Sequence, residues 1–325
     1  MVQGNYYRFM KKFLLISLVL FVSFPVFSQE QTDNILSTKN IELLEIIAPK
    51  IKIKLRKQTD SENIRLSGVS KDDLELSQEA NKLKVRVKAK DQKTELFIFG
   101  QFSGLQLKIS SKQISADLQD LEIAKTDIAT ENISLVWKKN KGELSLKTIG
   151  GAVEIANNSG AVAFNSYDAN LKVTEQTGDL SIESHKGLLE LEKIKGKLSL
   201  NSNQSKLILN GLEGDFYLES YQPNVSTKNV DGYQKITSKG GEFSIGVDSG
   251  ERFRINSEEA RIRVLMPSNS GAHINIGTED GDLYYPKYLD LKRYPNLKVA
   301  VGRLRGRSGG SVFARSKKGS IKIEQ

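Results

Sequence analysis

The chain has 325 residues, a formal net charge of +9, a hydrophobic share of 38% and no cysteine. That apolar share is enough to build a core, while the missing cysteine excludes disulfides, thiol chemistry, a lipid-modified cysteine and the usual zinc ligand sets. The positive excess is mild for this length and does not by itself indicate a nucleic-acid partner.

Residues 1–28 have the three-part layout of a cleaved secretory signal. Arg8, Lys11 and Lys12 form a basic stretch, Phe13 to Phe24 is apolar apart from Ser17 and Ser23, and Val26 and Ser28 occupy the small-residue cleavage positions. The expected mature start is Gln29, and Met10 opens a more typical signal than Met1. The apolar run is shorter than the roughly 20 residues that span a bilayer, and no second hydrophobic span follows. The expectation is therefore a bacterial protein in the periplasm, on the cell surface or secreted, with no transmembrane segment in the mature chain and no nucleic-acid partner. Loss of the three leader cations lowers the net charge to +6.

Residues 29–110 read as an N-terminal β region. Ile51, Ile53 and Leu55 alternate with basic residues, as do Leu83, Val85 and Val87; Leu96 and Ile98, then Leu105, Leu107 and Ile109, continue the alternation. Period two means strands with one buried and one wet face. Ser110 to Asn140 is transitional, and Trp137 stands where an apolar core residue is expected, which predicts a buried plug.

From Gly142 a unit of the form G-x-apolar-x-apolar recurs every nine residues, with glycine at Gly142, Gly151, Gly160, Gly178, Gly187, Gly196, Gly214, Gly232, Gly241 and Gly250. Ala169, Ser205 and Pro223 occupy the other grid points, and Gln234 and Arg252 are the polar misses at the first apolar position. A fixed period of this kind marks a stacked array. The apolar residues two and four after each glycine face the same way in a strand, the polar remainder supplies a turn, and glycine suits corners that need positive φ. The predicted fold is all-β, a parallel β-solenoid or β-helix over residues 111–325, with the strand-rich N-terminal region leading into it. At eighteen-residue spacing Glu154, Lys172 and Glu190 would stack, as would Asp179, Lys197 and Asp215, and alternating charge favours two strands per coil. A three-sided coil of twenty-seven residues also avoids like-charge contact. Beyond Gly250 the period slips by one residue and resumes at Phe253 and Ile255, Ile262 and Val264, Ile274 and Ile276, and finally Ile321 and Ile323, so that the last strands are expected to close the array. Residues 285–310 read as a basic loop insertion.

The units Gly178-Asp-Leu-Ser-Ile182, Gly214-Asp-Phe-Tyr-Leu218 and Gly241-Glu-Phe-Ser-Ile245, with Gly319-Ser-Ile-Lys-Ile323, resemble a bacterial family of exported putative adhesins, uncharacterised β-solenoid proteins that include GIN-type head domains. The resemblance extends over most of the mature chain. It implies an adhesin-like, envelope-associated role and carries over no catalytic residue.

No catalytic, cofactor or metal site is expected. The G-G-x-G-x-D pattern of calcium-binding rolls is missing at Gly150-Gly151 and Gly240-Gly241, and His185 and His273 have no partner at metal or triad spacing. Asp179 and Asp215 are the carboxylate pair that a β-helix lyase or hydrolase acting on envelope or extracellular polysaccharide would need, and this enzyme is the alternative reading. The expected contact region is the basic loop, where Lys287, Lys292, Arg293, Lys298, Arg303, Arg305 and Arg307 interleave with Tyr284, Tyr285, Tyr288 and Tyr294. Such a mixture suits envelope polysaccharide, lipid headgroups or another envelope protein. The sequence reading is thus an exported, non-enzymatic, adhesin-like or envelope-associated binding or structural protein.

Overall fold

A computed structural model describes residues 34–37, 41–57, 63–88, 94–247, 251–306 and 308–325. The expected signal segment, Gly250 and Arg307 lie outside the described residues. Among those residues there are strands and no helix, so none is long and apolar enough to cross a membrane. The strands pair mostly in parallel.

The regular part begins with β7 (Gln106–Gln119), β8 (Glu122–Lys138), β9 (Lys141–Ser159) and β10 (Val162–Thr177), each parallel to the next. From β9 to β17 (Tyr233–Gly246) the register offset is eighteen residues: Leu144 pairs with Val162, Val162 with Leu180 and Leu180 with Leu198. Two nonapeptide units therefore separate hydrogen-bonded partners, which excludes the twenty-seven-residue alternative. On one face β11 (Leu180–Lys186), β13 (Leu198–Asn203) and β15 (Phe216–Tyr221) follow one another. On the other run β12 (Leu188–Lys195), β14 (Lys206–Glu213) and β16 (Asn224–Asp231). Long β10 and long β17 (Tyr233–Gly246) pair with both series, so the ladders β10-β11-β13-β15-β17-β16-β14-β12 close into a ring of eight parallel strands.

Side-chain alternation along these strands builds the core. The aligned residues Leu144, Val162, Leu180, Leu198 and Phe216 are all buried, as are Leu146, Phe164, Ile182, Leu200 and Leu218. Gln234 continues the first column and is fully buried, whereas Arg252 is exposed because the one-residue slip puts Phe253 in the inward position. Trp137 is the expected plug: it is fully buried, and its indole N–H donates to Asn158 Oδ1 at 2.7 Å. Asn158 Nδ2 in turn donates to Gln176 Oε1 at 2.9 Å, one coil further on. The same column then becomes Ile194, Leu212 and Val230, all buried, so paired amides give way to aliphatics without leaving the core.

Corner geometry explains the glycine grid. Gly196 has φ of 134°, and a Cβ there would lie 2.7 Å from the carbonyl oxygen of Gly178, one coil below. Both the left-handed backbone and the close stacking of corners exclude a side chain. At the other corner a hydroxyl column missed in the sequence runs Thr130, Thr148, Ser166, Ser184, Ser202, Ser220 and Ser238. Thr148 Oγ1 and Ser184 Oγ each donate at 2.8 Å to the carbonyl two residues ahead, which supports the bend.

Neither end follows the simple order of the chain. β2 (Leu43–Lys57) lies against β7 on one edge and against β5 (Lys82–Val87) and β6 (Thr94–Gly100) on the other, all parallel. Antiparallel β4 (Leu74–Glu79) covers β5, while β3 (Asn63–Ser67) covers β6 and carries β1 (Asn34–Ser37). At the far end β18 (Arg252–Leu265) follows β17, but its other edge is taken by β23 (Ser308–Ser316) and β24 (Ile321–Glu324). β19 (Ser270–Thr278) and β20 (Leu283–Tyr284) lie beyond those. The last strands thus thread inside the array instead of closing it. The closing element is the hairpin of β21 (Asp290–Tyr294) and β22 (Leu297–Arg303), antiparallel to β19. Most of the segment expected as a loop insertion is therefore this hairpin, formed because β19 offers an open edge and Leu297, Val299 and Val301 alternate as a strand requires.

Candidate binding face

The hairpin separates the cations of the basic segment. Lys292 and Arg303 project to one side, with Val299 and His273 as their register partners. Arg293 and Lys298 are directly opposed on the other side, an unfavourable like-charge pair, and Lys298 Nζ reaches the Gly281 carbonyl at 3.4 Å. Lys287 is exposed in the turn before β21. The Arg305 guanidinium lies 5.0 Å from the centroid of Tyr288, whose hydroxyl donates to Gln325 Oε1 at 3.1 Å. Arg307 lies outside the described residues. No single surface gathers the six that are described.

Lys292 and Arg303 instead extend a larger basic face that sequence reading missed. In register across the strands, the outward column Tyr217, Lys235, Arg254, Phe313 and Asn275 is flanked by Tyr233, Arg252, Ser311, His273 and Arg303. On its other flank stand Asn256, Arg315 and Gly277. Arg254 and Arg315 both stand over the Phe313 ring, with guanidinium carbons 4.9 and 4.4 Å from its centroid. Arg315 also donates to Asn275 Oδ1 at 2.6 Å and to the Asn275 carbonyl at 3.0 Å, and burial lowers its pKa. Gly277 leaves room for the neighbouring β22, since a Cβ there would stand 3.0 Å from the Lys298 carbonyl oxygen and 3.2 Å from Val299.

Charge balance distinguishes this face from its opposite. Among the described residues Lys235, Arg252, Arg254, Lys292 and Arg303 form no ion pair, and Arg315 has no carboxylate partner. On the opposite face Arg261 pairs with Glu242 at 3.3 Å, and Arg263 and Lys322 share Glu324. Those cations line a groove of about 370 Å³ but are already neutralised.

An open groove of about 460 Å³ continues the basic face toward the middle of the array. Its outward side chains are Ser181, Ser199, Asn201, Tyr217, Lys235 and Thr237, with Glu183 and Glu219 along one side. Short hydroxyl and amide side chains form the floor, and the longer Tyr217 and Lys235 make its boundary with the basic face. Tyr217 is held by its hydroxyl, which donates to Asp215 Oδ2 at 3.1 Å and raises its pKa, and by the Lys197 ammonium 4.9 Å from its centroid.

Asp179 and Asp215, the carboxylates of the enzyme alternative, are occupied at the corners. Asp179 Oδ1 accepts from the Lys197 amide at 3.0 Å and Asp215 Oδ1 from the Tyr233 amide at 3.1 Å. The histidines are placed apart: His185 stacks on Tyr167 at 4.6 Å and contacts Asn203 through Nδ1 at 2.9 Å, whereas His273 is exposed on the basic face.

No family model and no curated protein matches the chain. A solved structure described as a "putative cell adhesion protein" from Clostridium sporogenes aligns over 91% of this chain and 100% of its own, at 11% identity and a TM-score of 0.19. At that score the alignment carries no weight for either fold or function.

Proposed function

We propose that the chain is a two-sided parallel β-solenoid with eighteen residues per coil, exported from a bacterial cell and acting without catalysis as an adhesin-like or envelope-associated binding protein. The eighteen-residue register is the observation that carries this reading, because it stacks like positions into straight outward columns and so produces an extended, repetitive surface. In this reading the ring of eight pairings is the hydrogen-bond signature of two sheets joined where β10 and β17 run through corners. The backbone roles of Asp179 and Asp215 support a non-enzymatic surface.

Fractionation of the producing cells, combined with proteolysis of intact cells, tests export. The expected result is mature protein in the periplasm, on the surface or in the medium; recovery of the full-length chain in the cytosol overturns it. Turnover of any envelope polysaccharide by the purified mature protein overturns the non-enzymatic part.

A further inference from the structure

We infer that the basic face and the adjoining groove form one extended site for a linear acidic polysaccharide lying across the strands, along the stacking direction. The inference rests on the binding-protein reading and names its ligand class. Lys235, Arg252, Arg254 and Arg315 stand on three consecutive strands with no carboxylate partner. Neighbouring strands are about 4.8 Å apart, so these cations form a short row able to meet acid groups spaced along one chain. The Arg254 guanidinium, placed over the Phe313 ring and free of any carboxylate among the described residues, can meet an acid group through paired hydrogen bonds, while Arg315, tied to Asn275, adds its charge beside it. Tyr217 adds aromatic surface for a sugar ring.

The groove selects among polyanions. Ser199, Asn201 and Thr237 offer donors and acceptors to sugar hydroxyls, and Glu183 and Glu219 accept from them. Those same carboxylates oppose a ligand with an anionic group at every unit, and they oppose an anionic membrane surface laid over the face, so the fitting glycan carries its acid groups on only some of its sugars. An acidic glycan places its charges over the arginines and its hydroxyls over the groove, which disfavours nucleic acid and lipid.

The full mature chain is titrated with linear hyaluronate, whose carboxylates stand on alternate sugars, and with neutral dextran, duplex DNA and phosphatidylglycerol vesicles at two salt concentrations. The expected result is binding of hyaluronate alone, weakening as salt rises, and weakened about tenfold further by the double variant R252S/R254S with unchanged thermal unfolding. Arg261→Ser, on the opposite face, is expected to bind as the parent does. Undiminished binding by R252S/R254S, comparable binding of dextran, or binding confined to DNA or vesicles overturns the assignment. Capture of envelope fragments without hyaluronate binding overturns the ligand and leaves the binding-protein reading standing; capture of neither overturns both.

Discussion

Gln234 is the residue at which pattern and packing disagree most. It occupies a core column between Phe216 and Phe253, and neither its amide nitrogen nor its oxygen has a partner in the protein. An unpaired buried amide costs about 1–3 kcal/mol, so Gln234→Leu is expected to stabilise the fold by roughly that amount in chemical denaturation. A loss of stability would show that the amide has a role. Glu45 is the opposite case, a largely buried carboxylate held by Lys82 at 2.6 Å and Lys108 at 3.2 Å. The hydrogen bond from Lys82 dominates; burial opposes it, and Lys108 adds to it, leaving the pKa below the ordinary 4.5. Because the folded value is lowered, the contribution is complete above the unfolded value and disappears as pH falls through the folded one. Glu45→Gln is therefore expected to cost about 1–3 kcal/mol at pH 7 and to lose less stability than the parent on acidification below pH 4.5; parallel pH profiles would contradict this. Inward residues such as Leu198 and Phe216 were legible from their spacing. Gln234 was legible only as an irregularity, since the grid marks which positions face inward and says nothing about how a polar side chain there is satisfied.

Among elements, the two ends of the array depart most from repetition. Both insert a strand out of order and finish in antiparallel pairs, a device that covers the hydrogen-bonding edges of a stacked parallel array. β23 and β24 supply the partners of β18 on one side and of β19 and β20 on the other. Truncation after Gly306 is therefore expected to release the coil of β19 and β20 together with the hairpin, exposing the edge of β18. Light scattering should show oligomers and the unfolding temperature should fall; a monomer with unchanged unfolding would contradict the threading. This order was not legible in the sequence. The nine-residue period tells which residues face inward but is the same whichever coil a strand joins, so Val312 and Ile321 look like a simple final coil. The hairpin was hidden for a related reason: Leu297, Val299 and Val301 form a short strand at antiparallel polarity, off the glycine grid and among prolines and cations.

For the whole molecule, one repeating geometry decides both stability and surface. The corners carry glycine and hydroxyl columns, the interior carries mainly aliphatic ones, and the outward columns are left to carry charge in lines. The all-β, mostly parallel class, the inward positions and the eighteen-residue spacing of Asp179, Lys197 and Asp215 could be read from the chain; the basic face could not, because Arg252, Arg254 and Arg315 become neighbours only when strands from residues 308–325 lie beside one from residues 252–265. The proposed eighteen-residue coil is tested most directly by coil deletion. Removing residues 179–196 joins Gly178 to Lys197 in the same frame as Gly196 to Lys197, whereas removing residues 179–187 joins it half a coil out of step. Thermal unfolding with small-angle scattering should find the eighteen-residue deletion cooperatively folded and shorter by about 4.8 Å, and the nine-residue deletion unfolded or aggregated. Equal tolerance of both deletions, or survival of the nine-residue one alone, would contradict the account.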